Sequence, residues 1–350
     1  MAIDVTVRGA GIFGLCCAWA LTRRGARVRI VDPGGVGAGA SGGVVGALAP
    51  HVPERWNAKK AFQLESLLMA ERWWADVAEA GGGDPGYARS GRLQPIADAE
   101  GLARAEARAA EARALWPGHV RWMVTDMPPD WAASSPTGRA VRDTLSARLH
   151  PRSALAALAA ALRARGVRVE RDGPGAAGCV LHATGWRGLA GLTDDRGRPA
   201  GTGVKGQAVL LALDRRDAPQ LYADGLHVVP HADGTVAVGS TSETAFDAGG
   251  TTDAGLDAVL ARARAAVPAL RDAPVLERWA GVRPRARSRG PLLGAWPGRA
   301  GHFVANGGFK IGFGIAPLVG ETMADLMLEG RARVPEGYGT EGLARWGAED

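Results

Sequence analysis

Hydrophobic and polar positions along the chain fall into two periods, and each period marks a kind of element. Ile3–Arg8 reads as a short apolar strand, Ile12–Arg24 as a helix that Gly25 stops, and Val28–Val31 as a second buried strand. That is a βαβ opening. A glycine-rich segment follows from Gly34 to Gly46. The spacing then predicts a long helix from about Asn57 to Glu79, with Leu64, Leu67, Leu68, Trp73 and Val77 on one face. Ala99–Leu115 reads as an Ala/Arg/Glu helix with solvent-facing charge, and residues 116–145, rich in proline and tryptophan, as irregular. Pro151–Arg165 is expected as a helix ended by Gly166, before strands at Val167–Val169 and Val180–Ala183. Val204–Leu213, His227–Pro230 and Thr235–Ser240 read as antiparallel strands with a turn at Asp233–Gly234. Thr252–Val267 and Ala316–Leu328 read as helices.

The length of 350 residues suggests about two domains. Hydrophobic residues at 46% and charged residues at 22% are ordinary for a soluble globular enzyme. The 51 glycines follow no collagen-like period, so they point to tight turns and close backbone approaches to a ligand. A net charge of +6 raises nucleic-acid binding, but the basic residues are scattered among 36 acidic ones and form no stripe. Lysine occurs only at Lys59, Lys60, Lys205 and Lys310, so the charge is nearly all arginine, as in a GC-rich genome. Nucleic acid is not the expected partner. Cys16, Cys17 and Cys179 have no metal spacing and no paired framework, which fits a reducing cytoplasm. Ala10–Leu21 has the size of a signal-peptide core but holds a glycine motif, and no apolar run reaches the ~20 residues of a membrane helix. The chain is expected to be soluble, unprocessed and cytoplasmic.

The first chemical motif is Gly9-Ala10-Gly11-Ile12-Phe13-Gly14, directly after a strand and opening a helix. Gly9 permits the tight turn, Gly11 lets the backbone reach a pyrophosphate, and Gly14 allows close helix packing. Helix N-terminal amides, with Ile12 and Phe13 in the first turn, then face the phosphate charge. Asp32 ends the second strand, where a carboxylate can accept bonds from a ribose diol. Alone the glycines are a weak signal; strand, glycines, helix, strand and terminal acid in register imply dinucleotide binding. FAD and NAD are not separated at this point.

The segment Gly39-Ala40-Ser41-Gly42-Gly43-Val44-Val45-Gly46-Ala47-Leu48-Ala49-Pro50-His51 separates them. Its small residues would let backbone pass along a pyrophosphate and under a flat ring. Here the chain resembles the D-amino-acid-oxidase-like flavoprotein family, which includes glycine oxidase and sarcosine oxidase. His182-Ala183-Thr184-Gly185-Trp186, Val204-Lys205-Gly206-Gln207 and Pro230-His231-Ala232-Asp233-Gly234 continue the resemblance. So do Trp279-Ala280-Gly281-Val282-Arg283-Pro284 and Ala305-Asn306-Gly307-Gly308-Phe309-Lys310-Ile311 running on to Pro317. The resemblance implies an α/β fold with a Rossmann-like FAD-binding domain and an antiparallel-sheet substrate domain. The first is expected over 1–84, 146–203 and 285–350, the second over 85–145 and 204–284.

By that resemblance FAD is held by Gly9, Gly11, Ile12, Phe13, Gly14, Asp32, Ala40, Ser41, Gly46, Ala47 and Leu48. Thr184, Gly185, Trp186, Gly308, Phe309, Lys310 and Ile311 complete the set. It also implies that Arg283 and Lys310 bind a substrate carboxylate: a guanidinium suits a planar carboxylate bidentately, and an ammonium adds a point charge. His51 falls near the expected reactive face of the flavin, either tuning protonation or holding structure; the other six histidines read as structural. The implied reaction is oxidation of the C–N bond of a small amine or amino acid, with hydride passing to flavin N5. The chain departs from the family in three places. With no cysteine after Cys179, the FAD is expected to be non-covalent. Ala237 stands where the sarcosine oxidase branch has an oxygen-linked lysine, so oxygen and another electron acceptor both stay open. The short Glu170–Gly178 link leaves no adenine contact to carry over. A dehydrogenase and a tRNA-modifying oxidase of the same fold are the rival readings.

Overall fold

The computed structural model describes residues 3–341 except 174, 195 and 332. The described chain opens with β1 (Val5–Arg8), α1 (Ile12–Arg23), β2 (Val28–Val31), β3 (Ala47–Leu48) and the long helix α2 (Ala58–Gly81). Strand β4 (Arg92–Pro95), helix α3 (Ala99–Leu115) and strands β5 (Trp122–Asp126), β6 (Arg139–Asp143) and β7 (Ala147–Arg148) follow. Next come α4 (Pro151–Ala164), β8 (Val169–Glu170), β9 (Cys179–His182) and α5 (Gly185–Gly191). Strands β10 (Gly201–Ala212), β11 (Gln220–Ala223), β12 (Leu226–Pro230) and β13 (Thr235–Gly239) lead to α6 (Ala254–Ala266). The remaining elements are β14 (Val275–Ala286), β15 (Leu292–Ala295), β16 (His302–Asn306) and α7 (Gly312–Glu329).

Local chemistry accounts for the helix ends. The Asn57 side chain accepts a hydrogen bond from Lys60 N (3.1 Å) and Asp98 from Gly101 N (2.6 Å), capping α2 and α3. Gly82, at φ +66, closes α2 in the left-handed conformation. Helix α1 is buried at every position from Ile12 to Leu21, so it is a central helix and shows no polar face.

One sheet runs β15-β16-β9-β1-β2-β8, with parallel pairs throughout except β15 on β16. Val7 sits between Ile30 and Leu181, and all three are fully buried. Continuous apolar strands of this kind belong to a parallel sheet covered on both faces. The second sheet runs β14-β10-β13-β12-β11-β4-β6-β5 and is antiparallel apart from β11 on β4. Helix α6 packs on it through Leu256, Val259, Leu260 and Ala263. The architecture is the α/β class expected. Among the described residues no helix is long and apolar enough to cross a membrane.

Two local expectations are corrected, and one unassigned segment gains a structure. Residues 116–145 are not irregular: they carry β5 and β6, which extend the second sheet beyond β4. Helix α3 is not merely a charged surface helix, because Ala105, Ala109 and Ala112 are buried and Trp116 and Trp122 pack edge to face at 5.9 Å below them. Small alanines let the helix lie close to the sheet, which a composition reading treats as neutral. The segment around Arg283 is a twelve-residue edge strand, β14, paired along its length with β10. Pro284 is tolerated there because an edge strand need not donate from every residue.

Candidate active site

A single cavity of about 1240 Å³ runs between the two sheets, and both the glycine turn after β1 and Arg283 of β14 line it. At one end Gly9 turns the chain at φ +110, and a Cβ there would lie 2.3 Å from the Ala183 carbonyl oxygen. Only glycine lets β1 and β9 release their chains this close together. Gly11 precedes α1 without any side-chain cap, so the helix N-terminus opens to the cavity. Ser41 Oγ accepts from Ile12 N at 3.0 Å, placing a hydroxyl where an anion would be held. Helices α5 and α7 also begin at this wall, at Gly185 and Gly312.

Asp32 ends β2 beside this turn. Its carboxylate accepts from Ala10 N (2.7 Å) and Gly34 N (2.9 Å), and it lines the cavity. Each carboxylate oxygen has a second lone pair, so both can still take a hydroxyl donor. Bare backbone, a helix N-terminus beside the Ser41 hydroxyl and an oriented carboxylate in one elongated cavity fit FAD in chemistry.

Of the residues expected to hold cofactor, Gly9, Gly11, Ile12, Phe13, Asp32, Ala40, Ser41 and Ala47 line the cavity. So do Thr184, Gly185, Trp186, Gly308, Phe309 and Lys310. Gly14, Gly46, Leu48 and Ile311 do not. Gly14 and Gly46 act one layer back, where a Cβ would lie 1.9 Å from Gly9 O and 1.8 Å from Leu149 O. Leu48 is fully buried, and Ile311 N donates to Gly308 O (3.0 Å), shaping the turn into α7. His51 is also outside the cavity lining. Gln63 Oε1 accepts from its backbone N–H (2.8 Å) and meets its Nδ1, so the residue ties the end of β3 to α2.

At the other end Arg283 reaches across the second sheet. Its Nη2 donates to Ser240 Oγ (2.7 Å) and its Nη1 to Thr241 O (3.3 Å). Burial pulls its pKa down to about 10, against a small upward pull from Glu243. Lys310 follows Phe309, with Nζ 5.6 Å from that ring centroid. Its pKa is lowered by burial and by the Arg283 charge, so the two cations share one region. Among the described residues neither has an ion-pair partner.

Tyr222, His227 and Trp279 are among the wall residues that sequence reasoning did not assign to the site. Tyr222 and His227 pair across β11 and β12 with rings 4.8 Å apart, and both line the cavity. His227 Nδ1 is buried without a hydrogen-bond partner. Burial, then Arg92, Lys310 and Arg283, drive its pKa down to about 3, so the imidazole is neutral at physiological pH. Trp279 lies against Gly43 and Gly281, whose Cβ positions would fall 3.1 and 2.4 Å from its ring. The only sequence signal was the aromatic character of these residues beside glycines, and cross-strand pairing made it meaningful.

Comparison with known proteins follows the same lines. The family model of FAD-dependent oxidoreductases designated DAO matches residues 4–326. The oxidoreductase ThiO of Rhizobium etli is 30% identical, over 93% of this chain and 97% of its own. Glycine oxidase of Geobacillus kaustophilus is 27% identical, over 93% of this chain and 92% of its own. The crystal structure of that glycine oxidase superposes with a TM-score of 0.80 at 24% identity, covering 97% of each chain. The iminodiacetate oxidase of Chelativorans shares the fold with a TM-score of 0.80 at 23% identity, covering 97% of this chain and 98% of that one. The resemblance carried by the six sequence segments is borne out, and the chain belongs to the DAO family of FAD-dependent oxidoreductases.

Proposed function

We propose that the protein oxidises the C–N bond of a small amino acid of the glycine, N-substituted glycine or D-amino acid type, held by its carboxylate on Arg283. The observation that carries this reading is a buried guanidinium facing the cavity with no counter-ion among the described residues. A buried cation without a partner is costly, and a planar anion arriving from the cavity relieves that cost. Lys310 adds positive charge at the same end. The glycine oxidase and iminodiacetate oxidase relatives support the substrate class.

When bound, FAD supplies a two-electron acceptor: hydride leaves the substrate carbon, and the resulting C=N bond is hydrolysed by water. The chain binds and orients. Arg283, fixed by Ser240 and Thr241, sets the position of the carboxylate and so of the carbon next to it. His227 lines the cavity as a neutral imidazole and so adds no third charge beside Arg283 and Lys310. No acid/base pair is required if the amine binds neutral.

The reading of a non-covalent cofactor is supported by the cysteines, since none of Cys16, Cys17 and Cys179 lines the cavity and none can form a cysteinyl link there. The two sheets support a division into a cofactor domain built on the parallel sheet and a substrate domain built on the antiparallel one. Unpaired cysteines support a reducing cytoplasm as the site of action. An anaerobic screen of amines and amino acids, followed by flavin bleaching, tests the function. Bleaching by carboxylate-free amines alone would overturn the substrate class. Readmitting air or a dye to the bleached protein then identifies the electron acceptor.

A further inference from the structure

The volume that the Arg283 guanidinium fills is the volume a side chain at residue 206 would need. Gly206 lies on β10 opposite Gly281, and Arg283 starts two residues further along, opposite Val204. A Cβ built on Gly206 would fall 1.8 Å from Nη1, 2.1 Å from Cζ and 2.2 Å from Nη2 of Arg283. These are its three nearest neighbours, and all are side-chain atoms. The backbone does not call for glycine, since Gly206 is not in the left-handed region. The requirement comes from Arg283, which crosses β10 over this residue to reach Ser240 and Thr241 at the end of β13.

The far wall of this seat is itself held. Gln207 N donates to Thr241 Oγ1 (2.8 Å), and Thr241 also bonds Glu243. Lys205, buried, pairs with Asp253 (2.6 Å) and Glu243 (3.5 Å), and Gln207 Nε2 donates to both carboxylates (2.7 and 2.9 Å). Both chain neighbours of Gly206 are therefore tied to the segment that receives the guanidinium, which cannot easily shift to make room.

We infer that Gly206 is a positioning residue for the substrate carboxylate: its missing side chain lets Arg283 lie flat on β10 and fixes the depth of its free N–H donors. The inference rests on the reading of Arg283 as the carboxylate group. A guanidinium has five N–H donors, and Ser240 and Thr241 take two, leaving three for a ligand. A methyl group at 206 pushes the guanidinium off its seat by more than an ångström, and a misplacement of about 1 Å costs on the order of 100-fold.

The test uses the FAD-loaded enzyme and acetate as a non-reacting carboxylate probe, titrated by the change in flavin absorbance. Gly206→Ala should weaken acetate by at least about tenfold, within the loss that breaking a desolvated charge pair outright brings. For the amino acid that bleaches the flavin fastest, kcat/KM should fall on the order of 100-fold, with FAD content unchanged. In an Arg283→Ala background, adding Gly206→Ala should change acetate affinity by no more than about twofold, because the clashing side chain is gone. If Gly206→Ala alone fails to load FAD, the double variant must load it; failure of both shows that the clash is not with Arg283 and overturns the inference. Weak acetate binding in Arg283→Ala with parental binding in Gly206→Ala overturns the role of Gly206 alone. Parental acetate binding in Arg283→Ala overturns the carboxylate reading itself.

Discussion

The Asp32 carboxylate and the Ala10 amide meet at 2.7 Å, so the acid at the end of β2 is oriented by the same glycine turn that opens α1. The other oxygen is held by Gly34 N at 2.9 Å. The orientation of this carboxylate is thus set by the fold itself.

Asp32→Ala should lower FAD affinity by about 1.5–3 kcal/mol, the usual loss for hydrogen bonds to a charged acceptor. Asp32→Asn keeps one carbonyl acceptor and should lose less. Equilibrium binding of FAD to the apoprotein, with circular dichroism to confirm the fold, measures both. Parental affinity in the alanine variant would remove Asp32 from the site.

Acid precipitation of the yellow protein should release intact FAD to the supernatant. Cys16 and Cys17 are fully buried in α1, with burial pushing both thiols up, so neither is a nucleophile for the flavin. Yellow colour remaining with the pellet would show a covalent link.

Arg283→Ala should impair oxidation of amino acids by about 2–5 kcal/mol in kcat/KM, as breaking a desolvated charge pair does. Arg283→Lys should recover little, because an ammonium cannot reproduce the planar fork. Lys310→Ala should act in the same direction more weakly. Steady-state kinetics on an amino acid and on its carboxylate-free amine, with FAD content checked, decide the matter. Equal rates on the two parent substrates would make the enzyme a plain amine oxidase.

Stability should fall as pH drops below about 6.5. His231 is fully buried, and burial, with His150 close by, lowers its pKa to about 3. Above the unfolded value both states are neutral and nothing is lost. Between about 6.5 and 3 only the unfolded imidazole takes a proton, so unfolding is favoured by about 2 kcal/mol at pH 5. Thermal unfolding at a series of pH values should show the decline, and His231→Gln should make it shallower by its own share, His182 and His227, also pulled down to about 3 by burial, keeping the rest. A parallel decline in the variant would place the acid sensitivity elsewhere. The rate of flavin reduction should show no break near 6.5 from His227, which also stays neutral down to about 3.

The opening βαβ unit and its glycines were legible because their signals are local: Gly9, Gly11 and Asp32 act within one turn of the chain segments that announce them. The same holds for α2 and α4, with their apolar faces. Strand β14 was not legible, because its burial follows no period of two and its pairing with β10 makes it a strand. The site divided in the same way. Arg283 was named from its motif, whereas Tyr222, His227 and Gly206 gain their roles only when β10 to β13 fold beside β14. His51 was open in the sequence between the flavin face and a structural hydrogen bond; it lies outside the cavity lining, and its contacts are with Gln63.

Strand β1 has β2 on one side and β9 on the other, and β9 in turn needs β16. The first neighbour leaves the ribosome almost at once; the second is some 170 residues later, a delay of roughly 10–35 s at usual elongation rates. Throughout that interval Val5, Val7 and their unpaired amides present an open apolar edge, the kind that recruits other chains. The nascent chain carries that open edge through the first half of its synthesis, and its glycine turn, although encoded first, waits for β9 before its second neighbour stands beside it.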